Sequence, residues 1–219
     1  MLIVFEGVDA SGKQTQTDIL YNSLKGKGEK VSKISFPDYN SPSSSLVKMY
    51  LGGEFGSEPS EVSAYAASAF YAVDRYASYK KDWGRKLDKG EIIIADRYVT
   101  SNMIHQAAKL SSEKEKLSFL DWIYDFEYIK LGLPLPDKVF FLDMPPEFSK
   151  KLIAARDNKI TGGKQKDIHE KNPDYLYSAY KNALFVAKQC GWDRISCVKD
   201  NKIRSMEDIK NEIISKLEI

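Results

Sequence analysis

The sequence predicts a parallel α/β sheet with helices on both faces, and two observations predict it. Five short β-rich runs, Leu2–Phe5, Val31–Phe36, Glu91–Ala95, Val139–Leu142 and Ile195–Val198, are each separated by enough chain for a crossover helix. The runs Ile3-Val4-Phe5, Ile92-Ile93-Ile94 and Val139-Phe140-Phe141-Leu142 do not alternate with polar residues, as expected of strands covered on both sides. Composition agrees: the 219 residues are 42% hydrophobic and 29% charged, which excludes disorder and collagen-like repetition. Area scaling lets about 72% of the unfolded surface be buried in one core, so metal or disulfide staples are unnecessary.

The first run leads straight into Gly7-Val8-Asp9-Ala10-Ser11-Gly12-Lys13, followed by an amphipathic segment from Gln14 to about Lys25 with Ile19, Leu20 and Leu24. This is the phosphate-binding loop pattern, save one position. Such a loop wraps phosphate oxygens in backbone N–H groups at a helix N-terminus, while its Lys reaches the β/γ-phosphates. Residues 7–14 form the loop, with Gly7, Ala10, Ser11, Gly12, Lys13, Gln14 and Thr15 as the nucleotide-contacting positions. A plain βα turn is the bland alternative. Lys13 needs no buried partner in this reading. The pattern's last residue, normally a Mg²⁺-coordinating Ser or Thr, is Gln14, and Thr15 stands one place too late. A magnesium ion must then lean on water, phosphate oxygens and the carboxylates Asp9 or Asp96.

After the second run, Val62, Ala66, Phe70, Val73 and Ala77 recur at helical spacing between Pro59 and Tyr79, and Pro59 suits a first turn. A long central helix is expected. It carries Asp74-Arg75, with Phe70 on the face of Asp74; alone, Phe70 reads as core. The third run ends Asp96-Arg97-Tyr98, which brings a carboxylate and a guanidinium to the carboxyl edge of the sheet, where ligands bind in open α/β folds. Taken alone, Asp96-Arg97 is as readily a structural salt bridge as a site. The polar, Gly-Gly-containing stretch 157–172 reads as a mobile loop between helical segments. No linker or repeat divides the chain, so residues 1–219 are expected to form one domain.

The formal net charge is +2, with no long run of like charges, which offers little footprint for nucleic acid or an anionic membrane. Cys190 and Cys197 lack a companion ligand cluster and read as reduced thiols of a cytoplasmic protein. The opening MLIVFEG has no basic segment and too short an apolar run for a secretory signal or a membrane span.

Five stretches in order, FEGVDASGK, SFPDY, SAFYAVDR, ADRYVTSNMIHQ and LPLPDKVFFLDMPPE, resemble the thymidylate kinase family over nearly the whole chain. The resemblance implies a P-loop kinase fold with five parallel strands in the order 2-3-1-4-5 and a mobile lid. It implies phosphate transfer from ATP, with Mg²⁺, to dTMP, and a homodimer through central helices. By the same resemblance Phe70 would stack on thymine, and Arg75 would grip the base or the acceptor phosphate. Arg97 would hold that phosphate and Asp9 the sugar 3′-hydroxyl. Pro37 would line the pocket, while Ser101, Asn102 and Gln106 would reach the base edge. His105 falls where a Tyr associated with excluding the ribose 2′-hydroxyl is common, and a packing role stays open. Arg156 matches the arginine that packs on adenine.

One family group carries a catalytic arginine in the loop, at the place of Ala10, and the other carries it in the lid. Ala10 excludes the first, and the lid offers Lys159, Lys164, Lys166 and Lys171, of which Lys164 and Lys166 are the candidate catalytic cations. Lysine neutralises charge without the bidentate fork of arginine. A solvated polar loop is the bland alternative there, and His169 reads as an exposed lid residue. Two other functions compete: a different nucleoside or nucleotide kinase of the superfamily, and a nucleotide-binding regulatory module with weak catalysis.

Overall fold

The computed structural model describes residues 1–153 and 173–217. Five parallel strands, β1 (Leu2–Glu6), β2 (Val31–Ser35), β3 (Ile92–Asp96), β4 (Lys138–Asp143) and β5 (Asp193–Ser196), form a sheet in the order β2-β3-β1-β4-β5. This is the order the resemblance implied. Register runs Leu2 to Ile93 and Ile3 to Lys138, so β1 lies centrally and its carboxyl end opens between two partners. The helices described are α1 (Lys13–Gly26), α2 (Ser45–Leu51), α3 (Ala64–Ser78), α4 (Gly84–Asp88), α5 (Val99–His105), α6 (Glu113–Ile123), α7 (Pro146–Ile153), α8 (Pro173–Gln189) and α9 (Met206–Ser215).

Successive strand side chains point to opposite faces, which explains the uninterrupted apolar runs. Leu2, Val4, Ile93 and Ala95 join Trp83, Tyr98, Val99, Phe119 and Ile123 on one face. Ile3, Phe5, Ile94, Phe140 and Leu142 join Leu20 and Leu24 of α1 and Ile209 and Ile213 of α9 on the other. Truncating a fully buried member such as Leu142 to Ala costs about 2–5 kcal/mol.

Two expectations are corrected. The last strand starts at Asp193, not Ile195, and Val198–Lys199 instead pairs antiparallel with Lys202–Ile203 as the β6/β7 hairpin. An edge strand needs little apolar content, and Asp193 is paired with Lys138 and Lys216, so its polarity hid it. The central helix α3 starts at Ala64 and not at Pro59, and its apolar stripe is not the buried face. Val73 is 52% exposed and Ala66 is exposed, while Ala67, Ser68, Ala72, Asp74 and Arg75 are buried. The helix buries small residues and a charge, which apolar periodicity does not register. Pro59 begins a separate 3₁₀ turn, Pro59–Glu61, and Ser63 caps α3 by accepting from the Ala66 N–H at 3.1 Å. No helix among the described residues is long and apolar enough to cross a membrane.

Candidate active site

The loop after β1 is built by backbone conformations that few residues adopt. Gly7 has φ 152°, and a Cβ there would lie 2.5 Å from Ser11 Oγ and 2.8 Å from the Leu142 carbonyl oxygen, so only glycine fits. Gly12, at φ 89°, starts α1 with no side-chain cap. The first N–H groups of α1 are thereby left for an anionic ligand. Ala10 takes φ 58° without being glycine. Lys13 is buried, and its ammonium donates to the carbonyl oxygens of Gly7 at 2.9 Å and Val8 at 2.8 Å. Burial, reinforced by the Arg97 guanidinium, pulls its pKa down to about 8. The expectation that Lys13 needs no buried partner is therefore corrected. Gln14 is exposed and Thr15 half-buried.

Arg97 follows β3 at φ 70°, a left-handed conformation unusual for a side chain of this size. Its Nη2 pairs with Asp9 Oδ1 at 2.5 Å, and Nη1 lies 3.3 Å from Ser101 Oγ and 3.0 Å from His105 Nε2. A guanidinium only donates, so His105 Nε2 accepts, and the ring proton sits on Nδ1 in this arrangement. Burial opposes the charge of Arg97, but Asp9, Glu6 and Asp96 outweigh it and hold its pKa above the ordinary value. The ion pair that Asp96-Arg97 suggested is thus made by Arg97 with Asp9.

Glu6, unflagged in the sequence, anchors this turn. Fully buried, it accepts from the Tyr98 N–H at 3.1 Å, Thr100 Oγ1 at 2.7 Å and Ser101 Oγ at 2.8 Å. Burial raises its carboxyl pKa against the lowering effects of Arg97, Thr100 and Ser101. Ser101 spends its one proton on Glu6, and its oxygen, 3.3 Å from Arg97 Nη1, braces that guanidinium. A lone carboxylate ending an apolar strand was the signal available for Glu6.

Arg75 is held by a second buried acid. It is 1% exposed, and its Nε and Nη2 donate to Glu127 Oε2 at 2.7 Å and Oε1 at 2.6 Å. That fork pairs its charge with Glu127 and leaves Nη1, 3.4 Å from the Tyr98 carbonyl oxygen, as its outer end. Asn102 Nδ2 donates to Glu127 Oε1 at 3.1 Å and to the Ser68 carbonyl at 3.3 Å. Gln106 is buried, and its Oε1 has no hydrogen-bond partner. Phe70 is half-buried, with its ring 5.4 Å from Phe55 and 6.4 Å from Tyr50. Asp74 ties α3 to the chain after β2, accepting from the Asp38 N–H at 2.8 Å and Ser43 Oγ at 2.6 Å beside half-buried Pro37.

The structure thus joins Asp9, Arg97, Ser101 and His105 in one network, rooted just past the carboxyl ends of β1 and β3 and on α5, and Arg75 of α3 and Asn102 of α5 in another through Glu127. Asp96 is nearly buried, and its carboxylate makes no hydrogen bond among the described residues. No cluster of three or more His, Cys, Asp or Glu able to hold a metal occurs among them either. Arg156, Lys164 and Lys166, with the loop expected at 157–172, lie outside the described residues. An uncapped helix start, a lysine beside it and a braced arginine at a neighbouring strand end can hold two anionic groups close together.

The thymidylate kinase family model matches residues 5–211. A thymidylate kinase of Mycobacterium tuberculosis (strain H37Rv) is 32% identical over 176 residues, covering 80% of this chain and 79% of that protein. A probable thymidylate kinase of Thermococcus onnurineus is 30% identical over 220 residues, covering 100% and 97%. The crystal structure of a thymidylate kinase from Ehrlichia chaffeensis superposes with a TM-score of 0.68 over 98% of this chain and 97% of that one, at 18% identity, a likeness of fold.

Proposed function

The chain belongs to the thymidylate kinase family, and from that premise we propose the reaction ATP + dTMP → ADP + dTDP by in-line phosphoryl transfer. The observation that carries the chemistry is the braced Arg97 facing Asp9 beside the uncapped start of α1. Phosphoryl transfer between two anions asks for positioning and charge neutralisation, not for a nucleophilic side chain. The acceptor phosphate is ionised near pH 7, its second pKa being about 6, so no general base is needed. The loop amides and Lys13 take the β/γ-phosphates of ATP, and Lys13 exchanges its carbonyl partners for phosphate oxygens. Arg97 takes the acceptor phosphate and Asp9 the sugar hydroxyl. Phe70 supplies a flat face for the base, and Arg75 Nη1 and Asn102 supply edge contacts.

Mg²⁺ fits Asp96, a carboxylate not engaged by any described hydrogen bond, better than Asp9, which spends Oδ1 on Arg97. The ion would supply charge neutralisation across the phosphates; Gln14, exposed and two atoms longer than the Ser or Thr usual there, is assigned no direct bond. Lys164 and Lys166 are assigned the part of the arginine that Ala10 lacks, and Arg156 the adenine face. We assign the whole chain to one domain and to the cytoplasm. A homodimer is supported by the solvent face of α3, where Tyr65, Val73 and Tyr76 are 41%, 52% and 39% exposed along one side.

A coupled ADP-release assay over a panel of monophosphates tests the assignment. dTMP is expected to exceed dCMP, dGMP and UMP in kcat/KM. Faster turnover of a cytidine or guanosine nucleotide would transfer the chain to another substrate class, and ATP binding without turnover would make it a regulatory module.

A further inference from the structure

We infer that Glu127, a buried carboxylate that contacts no substrate, is the positioning residue that makes this site read thymine rather than cytosine. The inference rests on the dTMP reading above. Glu127 lies in the π-helical segment Tyr124–Lys130 and is wholly buried. Its two oxygens accept three N–H groups: Nε and Nη2 of Arg75 and Nδ2 of Asn102. The second hydrogen of the Asn102 amide goes to the Ser68 carbonyl.

Hydrogen-bond arithmetic then fixes what the two side chains can offer. An amide nitrogen has two hydrogens, and both are used, so the group Asn102 has left is its carbonyl Oδ1, an acceptor only. Arg75, with Nε, one hydrogen of Nη2 and one of Nη1 engaged, has left the second hydrogens of Nη1 and Nη2, donors only. A donor beside an acceptor complements thymine, which presents O4 as acceptor and N3–H as donor. Cytosine presents the reverse, an amino donor at C4 and a bare N3, and meets a donor and an acceptor of the wrong kinds. Without Glu127 the long 3.3 Å bond to the Ser68 carbonyl is the one tie left among the described residues on an amide whose nitrogen and oxygen ends have nearly the same shape, and its orientation is weakened. A carboxylate cannot donate, so it admits one orientation.

Glu127→Gln is the discriminating variant. No orientation of a glutamine accepts all three N–H groups, and turning the Asn102 carbonyl toward its new NH₂ points a donor at the base. The ratio of kcat/KM for dTMP over dCMP is expected to fall at least tenfold, through KM of the monophosphate, with KM for ATP unchanged. Glu127→Asp, which keeps an acceptor-only group, should retain more of the ratio than Glu127→Gln whatever its rate. If Glu127→Gln does not fold, ¹⁵N NMR of the wild-type protein decides: the Asn102 side-chain NH₂ protons should be protected from solvent exchange, and exchange at the free-amide rate would overturn the inference. A folded Glu127→Gln with the wild-type ratio would overturn it too. If instead the wild-type enzyme does not prefer dTMP, the functional reading has failed, and the protection of the Asn102 amide still reports whether Glu127 orients it.

Discussion

Replacing Lys13 by Met sets catalysis against stability, and the structure gives the sizes. The drop in the Lys13 pKa from 10.5 to about 8 means that the fold disfavours the ammonium over the free amine by about 3 kcal/mol. Methionine removes that penalty, but it also removes two hydrogen bonds to the Gly7 and Val8 carbonyls, worth about 1 kcal/mol each. At pH 7 the ligand-free variant is therefore expected to be the more stable protein by about 1 kcal/mol, or about 2–4 °C in Tm for a chain of this length. The folded-state pKa lies below the unfolded one, so between pH 8 and 10.5 the unfolded wild-type chain binds more protons, and wild-type stability rises with pH. The order then reverses, with wild type ahead by about 2 kcal/mol near pH 10.5. Lys109, also lowered to about 8 by burial, adds the same rise to both proteins and cancels in the difference. Urea unfolding without nucleotide at pH 7, 8.5 and 10 measures the crossover, and the coupled assay should show kcat down by about 10²-fold or more. A stability difference that does not change with pH would refute the burial of a strained cation; near-native kcat would refute its role in phosphate transfer.

Glu6→Gln loses the Oε2 acceptor 2.8 Å from Ser101 Oγ and the negative charge that attracts Arg97, so kcat should fall about tenfold with KM for ATP unchanged, as lost orientation of one cation predicts; unaltered kcat would show that the turn holds itself. His105→Ala removes the ring nitrogen 3.0 Å from Arg97 and should raise KM for dTMP about fivefold, close to 1 kcal/mol, and unchanged KM would return His105 to packing. Gln14→Ala should stay within about tenfold of wild-type activity while Asp96→Asn loses more, both titrated against free Mg²⁺; a sharply raised magnesium requirement in Gln14→Ala alone would make the glutamine a ligand. Val73→Glu should yield monomers in sedimentation if the exposed side of α3 is the dimer face, and an intact dimer would exclude that face.

What could be read from the sequence divides by range. The loop at 7–13, the strand count and the carboxyl-edge position of Arg97 follow from local pattern, because a turn chemistry and a period are written in adjacent residues. Boundaries failed where a charge stood in for apolar content, as at Asp193. The inward face of α3 is unmarked for a related reason: it buries the small residues Ala67, Ser68 and Ala72 and the charge of Arg75, so the buried side is less hydrophobic than the exposed one. The pairing of Arg75 with a glutamate 52 positions away leaves no trace in any local window.

Glu6 and Glu127 share a logic that accounts for where sequence reading stopped. Each is a fully buried acid spent on other residues, one on the turn that carries Arg97 and one on Arg75 with Asn102. Burying a carboxylate is costly unless its oxygens are filled with donors, and here they are. The return is orientation: Arg97 keeps φ 70° because the Tyr98 N–H and the α5 hydroxyls are tied to Glu6, and a left-handed arginine without such ties would relax by about 1–3 kcal/mol. A site that works by placing cations cannot let them wander, since an arginine free to follow solvent gives binding without the alignment that transfer requires. The residues that meet substrate are therefore the legible half of the site, recognisable by chemical type. The carboxylates beneath them decide how those residues are presented, and it is three-dimensional placement that makes an acid a positioning group.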